Sequence, residues 1–160
     1  MPNRCSIMYL CLLCCLIMLP TAVQGHHPDM AWPNGTIPDQ EQVKQLVEQG
    51  RQYVSQHAYR DAVTAFQKAT QLDPQHADAY FSWGIALGAL EQRQAEIEKY
   101  EQAVHYNPKL AEAYVAWGLA LWQLGRPAEA RVKLLEALAV DPYIISPSQK
   151  VLMKALGLTE

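Results

Sequence analysis

The strongest constraint on this chain is that it repeats itself. AYFSWGIALGAL begins at Ala79 and AYVAWGLALWQL at Ala113, 34 residues later, and the two differ at five of twelve positions. The interval extends to either side. Asp73-Pro74, Asn107-Pro108 and Asp141-Pro142 close three registers. Gly50, Gly84 and Gly118 share a column, as do Ala69, Ala103 and Ala137, and Phe66, Tyr100 and Leu134. No insertion interrupts the register between Val43 and Ile144. Such a period marks a stacked architecture. Each unit cannot bury its own apolar face, so about three are needed for stability. Three are present.

Each unit reads as two helices. In the second, Tyr80, Trp83, Ala86, Leu87 and Leu90 fall at helical spacing, and so do Ile97, Tyr100, Ala103 and Val104. Glu91-Gln92 between them leaves room only for an antiparallel turn. On this reading Tyr80, Trp83 and Leu87 face their own second helix. Each proline bars the residue before it from helical geometry and can open the next helix. A glycine inside a helix costs about 1 kcal/mol against alanine. Three in one column therefore imply a paired helix too close for a side chain, with Ala62 and Ala130 as the expected other half of the contact. Glu96 stands in that alanine column in the second unit. A carboxylate there must snorkel out, pair, or rotate the helix. The expectation is a local shift that exposes it, with a buried functional acid as the alternative.

These residues resemble tetratricopeptide repeats. The third unit carries Tyr114, Trp117-Gly118, Leu121, Ala130, Leu134 and Pro142. The first carries Leu46, Gly50, Tyr53, Ala62, Phe66 and Pro74. The second carries Tyr80, Trp83-Gly84, Leu87, Tyr100 and Pro108, and departs from the pattern at Glu96. The resemblance implies an all-α fold, a right-handed superhelical stack of antiparallel helix pairs, with repeats at 43–76, 77–110 and 111–144. The end of a stack needs a cap. Within the tail 145–160, residues 146–156 place Val151, Leu152, Ala155 and Leu156 at helical spacing before Gly157, and read as a capping helix.

In the resembled family, the first helices of successive repeats line a concave groove for a peptide or partner helix. Carried over by column, the groove takes Lys44, Val47, Arg51 and Val54 from repeat one. Repeat two supplies Asp78, Phe81, Ile85 and Gly88, and repeat three Glu112, Val115, Leu119 and Trp122. Helices apolar all round are covered on both sides. A partner, the neighbouring repeat or the preceding segment must therefore cover Phe81, Ile85, Val115, Leu119 and Trp122. One subclass of the family holds chaperone C-termini with lysines, arginines and asparagines in this groove. The matching places in repeats two and three are apolar, so no such clamp is expected.

Residues 1–25, MPNRCSIMYLCLLCCLIMLPTAVQG, differ from the rest. Arg4, an apolar run from Ile7 to Leu19, Pro20, and the modest or small Val23 and Gly25 are the parts of a secretory signal. Cleavage near Gly25 would give a periplasmic or secreted protein. A bilayer span needs roughly 20 apolar residues, and counting on to Val23 leaves a retained anchor as the alternative. All four cysteines lie here, so a cleaved chain has no disulfide and no cysteine metal site. Residues 26–42 hold three prolines and read as a linker, with the first helix starting near Asp39. Asn34-Gly35-Thr36 matches a glycosylation acceptor.

The formal net charge of −3, with acids and bases interspersed, speaks against nucleic acid as a partner. There is no G-x-S-x-G, no H-E-x-x-H and no phosphate-cradling glycine loop. No catalysis and no cofactor are implied. A mature N-terminus at His26-His27 would offer an amine and an imidazole to one copper ion. No further ligand stands near, and His57, His76 and His105 fall at turns or helix ends. The chain therefore reads as an exported, non-enzymatic protein binder: an adaptor, assembly factor or scaffold. Two other readings stand beside it, a homo-oligomeric unit whose groove packs a neighbouring copy, and a copper-binding protein. Membrane contact would come only through a retained N-terminal segment.

Overall fold

The computed structural model describes residues 38–144 together with Met153, Lys154 and Gly157. The chain divides into units Met1–Gly35 and Thr36–Glu160, and the described residues belong to the second. The signal or anchor, His26-His27, Asn34 and most of the expected linker lie outside the described residues. So does the capping segment, apart from the three residues just named.

Among the described residues are six helices and no strand. They are α1 Pro38–Ser55, α2 Tyr59–Leu72, α3 Ala77–Ala89, α4 Arg93–Tyr106, α5 Ala111–Gln123 and α6 Pro127–Val140. Helices α1 and α2, α3 and α4, and α5 and α6 pack as pairs, and α2 meets α3 as α4 meets α5. This is the stack of helix pairs that the register implies. Helix α1 starts at Pro38, so residues 38–42, read as linker, are helical. A proline without its N–H loses no hydrogen bond in a first helical turn.

Each pair turns over on a left-handed residue in one column: His57 (φ 59°), Glu91 (φ 61°) and Gly125 (φ 72°). Only the third repeat uses the residue that adopts this conformation freely. A side chain there costs roughly 1–2 kcal/mol, and glycine returns roughly 0.5–1 kcal/mol of that as lost chain entropy. Glu91→Gly is therefore expected to stabilise the protein by about 0.5–1 kcal/mol in urea unfolding. A loss of stability would mean that Glu91 holds its turn by a side-chain contact.

The core is built across repeat borders. Val43 and Val47 of α1 and Ala62, Phe66 and Ala69 of α2 join Ala79 and Ala86 of α3. Ile97 and Tyr100 of α4 join Ala120 and Leu121 of α5. Trp83 packs on the first of these clusters, so it welds repeat two to repeat one as well as facing α4. Its ring is covered by Lys99, whose Nζ lies 4.1 Å from the ring centre, and Lys133 covers Trp117 at 4.0 Å one repeat later. A cation over an indole face is attractive and also shields the ring from water.

The glycine column has its steric reason, and of the partners expected from the sequence Ala130 supplies a part of it. A Cβ on Gly50 would lie 2.5 Å from Phe66 Cε1, and one on Gly84 would lie 2.5 Å from Tyr100 Cε1. On Gly118 it would meet Leu134 Cγ at 2.9 Å, with the Ala130 carbonyl at 3.2 Å. The large column of Phe66, Tyr100 and Leu134 thus lies over the glycine backbone and is the nearest contact in all three repeats. Gly84→Ala gains about 1 kcal/mol in helix propensity but overpacks a rigid ring, at a cost of about 1–3 kcal/mol. A net loss of about 1 kcal/mol is expected by thermal or urea unfolding; a gain would show that the ring moves aside freely.

Met153 is buried with Val115 of α5 and Leu134 and Ala137 of α6. It stands against the last pair as Ala79 and Ala86 stand against the first. Gly157 follows at φ 67°, its N–H donating to the Lys154 carbonyl at 3.0 Å, a helix-stop conformation.

Candidate partner-binding groove

The first helices of the pairs supply two kinds of position. Val47, Phe81 and Val115 form one column. Each looks into the wedge between its own second helix and whatever is stacked next. Val47 lies among Ala62 and Phe66 of α2 and Ala79 of α3. Phe81 packs on Tyr100 of α4, ring centres 6.0 Å apart, and on the clusters that hold Ala113 and Ala120 of α5. Val115 lies against Leu134, Ala137 and Met153. Val47 and Val115 are each only 5% exposed. They are core, and the expectation that they line an open groove is corrected. Phe81 is half-buried in the same role.

The neighbouring columns stay open. Lys44 and Arg51 are exposed on α1. Ile85 and Trp122 remain 40% and 39% exposed despite their size. Leu119 is half-buried against the last core cluster, as are Val54 and Gly88 at their places. Asp78 and Glu112 are exposed in the Lys44 column. The open face is therefore basic on α1 and apolar along α3 and α5, with an acidic rim. Of the flagged histidines, His76 caps α3 by accepting the Ala79 N–H at 3.2 Å, and His57 Nδ1 lies 2.8 Å from the Tyr59 hydroxyl. These are structural contacts.

Glu96 is where the sequence reading fails and the structure adds something. It is 6% exposed, so the helix has not shifted to release it. Its carboxylate accepts from Arg93 Nη1 at 2.9 Å and from the Tyr100 hydroxyl at 3.1 Å. Arg93 Nη1 also donates to the Gly88 carbonyl at 2.8 Å, tying α4 to α3. Burial, and then the Glu96 charge, push the Tyr100 hydroxyl far above the ordinary tyrosine range, so it stays a donor. A buried charge is tolerable only when paired and hydrogen-bonded in this way. Space for it comes from Gly88, where a Cβ would lie 2.6 Å from Glu96 Oε1. Repeats one and three hold Val54 with Ala62 and Trp122 with Ala130 in these two columns. Repeat two reverses the sizes. That reversal is the sequence signal that points to the buried acid.

Beside Gly88 and Glu96 an open cleft of about 220 Å³ lies between α3, α4 and α5. Ile85 and Gly88 bound it on one side and Ala116, Leu119 and Gln123 on the other, with Arg93, Glu96 and Tyr100 from α4. The sequence reading assigns Ile85, Gly88 and Leu119 to a groove on the first helices, and Arg93, Glu96 and Tyr100 of α4 are not among the residues it assigns there.

Helix pairs stacked in register, with an open face on their first helices, define a helical-repeat scaffold. The chain carries tetratricopeptide repeats: a TPR repeat model matches residues 50–90 and a tetratricopeptide repeat model matches residues 111–144. Many solved structures share the fold. The Arabidopsis OM64 TPR domain is 24% identical at a TM-score of 0.70, covering 74% of this chain and 97% of that one. The first TPR of Spaghetti (RPAP3) bound to an HSP90 peptide is 20% identical at 0.68, covering 73% and 91%. The Yersinia enterocolitica type III secretion chaperone SycD, in complex with a peptide of the translocator YopD, is 22% identical at 0.62, covering 73% and 88%. No curated protein matches the chain.

Proposed function

We propose that this protein is a non-enzymatic interaction module that holds a peptide or helix of a partner protein on the open face of α1, α3 and α5. The observation that carries the reading is the exposure of Ile85, at the wall of a cleft, and of Trp122 on the next repeat, in a fold whose other large residues on these helices are packed. Exposed aromatic and aliphatic groups around a concavity are a mark of protein recognition. Two of the similar structures hold peptides, which supports the same use of the fold. The apolar character of α3 and α5 argues for an apolar segment over an acidic chain end.

The interaction belongs outside the cytoplasm on this proposal, because residues 1–25 have the composition of an export signal. Mass spectrometry of the tagged, fractionated protein tests it: a mature chain beginning at His26 is expected, and a full-length chain in the soluble cytoplasmic fraction would exclude export. The groove is tested by photo-crosslinking with the probe in place of Ile85 or Trp122 in the native cell, and with Gln67, exposed on α2, as control. Adducts to another protein from the groove positions alone are expected. No adduct from either groove position would remove the reading.

A second reading, self-association, rests on a different surface. Val132 and Leu135 on α6 are 50% and 47% exposed. The same columns hold Thr64 and Gln67, then Glu98 and Glu101, in the earlier repeats. An outer face that turns apolar only at the end of the stack suits a second copy. Sedimentation that shows a dimer, dissociated by Leu135→Glu, would establish it, and a monomer at high concentration would discard it.

A further inference from the structure

We propose that the cleft at Ile85 and Leu119, between repeats two and three, is a side-chain pocket that takes one neutral aromatic residue of the bound partner. This rests on the groove reading above.

The ligand class follows from volume and charge. A closed apolar cavity of about 150 Å³ accommodates benzene; this cleft, open to solvent on one side, measures about 220 Å³. A phenyl group is within that size. Ile85, Leu119 and Ala116 offer apolar walls. Arg93 and Glu96 form an ion pair at 2.9 Å, so the floor has no uncompensated charge. An incoming charged group would lose hydration without gaining a counter-charge, which disfavours it. Arg93 keeps its guanidinium partly exposed at the edge of the cleft, and among the described residues only its Nη1 is hydrogen-bonded. A planar guanidinium stacks on aromatic faces while its remaining N–H groups reach backbone carbonyls. Gly88 and the Glu96 carboxylate that fills the space beside it line the cleft together, where the other repeats carry Val54 and Trp122 in the glycine's column. A ring held at the edge of Arg93, with its main-chain carbonyl on the guanidinium, uses these features together.

The test is an amide-resolved NMR titration of the full chain with N-acetyl-phenylalanine amide, set beside N-acetyl-glutamate amide and N-acetyl-lysine amide. Saturable shifts at Gly88, Ala116, Leu119 and Gln123 are expected with the phenylalanine probe, and binding at least about tenfold weaker with the charged ones. No shift at these amides, or an equal response to the charged probes, overturns the proposal. Ala116→Met fills the cleft and is expected to abolish the response while the circular dichroism spectrum is kept; the wild-type titration decides the matter if that variant fails to fold. Crosslinks from Trp122 that survive undiminished in a folded Ala116→Met protein overturn the pocket as a partner subsite and leave the groove reading standing. Absence of crosslinks from both groove positions in the wild type removes the groove reading itself and the partner role of the pocket with it.

Discussion

Phe66→Ala is expected to destabilise the protein by about 3–5 kcal/mol, the cost of removing a fully buried ring and leaving a cavity. The ring is wholly inaccessible, lies over the Gly50 backbone and touches the cluster that joins α1 and α2 to α3. A stack is stabilised by intrinsic repeat terms plus neighbour interfaces, so damage at one border weakens both units that meet there. Against a total stability of about 5–15 kcal/mol, such a loss removes a large share of the whole. Urea unfolding followed by circular dichroism measures it. A change under about 1 kcal/mol, as a surface substitution would give, would mean that repeat one collapses around the gap and that the glycine column is not held open by its large partners.

Glu96→Ala should cost about 2–3 kcal/mol, below the usual figure for breaking a fully buried ion pair because Arg93 can still reach water. The variant strands the Tyr100 hydroxyl in the core and enlarges the cleft. Gly88→Val alone should be as damaging, since its Cβ would meet the Glu96 carboxylate at 2.6 Å. The two together rebuild the valine–alanine pairing of Val54 and Ala62, and should recover at least about half of the loss, a coupling of roughly 1–3 kcal/mol between touching residues. The four proteins form a double-mutant cycle read by urea unfolding. A double variant less stable than Glu96→Ala alone would refute the size exchange as the reason for Gly88.

The repeat period and the antiparallel helix pairs were legible in the sequence. Identical residues recur every 34 positions, and a fixed period with apolar residues at helical spacing admits few folds. The left-handed column of His57, Glu91 and Gly125 was not, because two of its three residues are not glycine and carry no local signal. The groove was legible only in part. Val47, Phe81 and Val115 are apolar for the same reason as Ile85 and Leu119 in a pattern, yet the first three fill wedges and Ile85 does not. One apolar side chain reads like another in a sequence; which of them is covered depends on the next helix in the stack.

Glu96 marks the boundary most clearly. Its departure from the alanine column was visible at once, and elementary electrostatics limited it to exposure or pairing. The choice lay with Arg93 three residues before it, Tyr100 four residues after it and Gly88 across the helix pair. Periodicity and composition thus dictated the stack, since they are local and repeat with the chain. The pairing of a buried charge and the opening of a cleft were decided in three dimensions, since both depend on which side chains from different helices meet and how much space they leave.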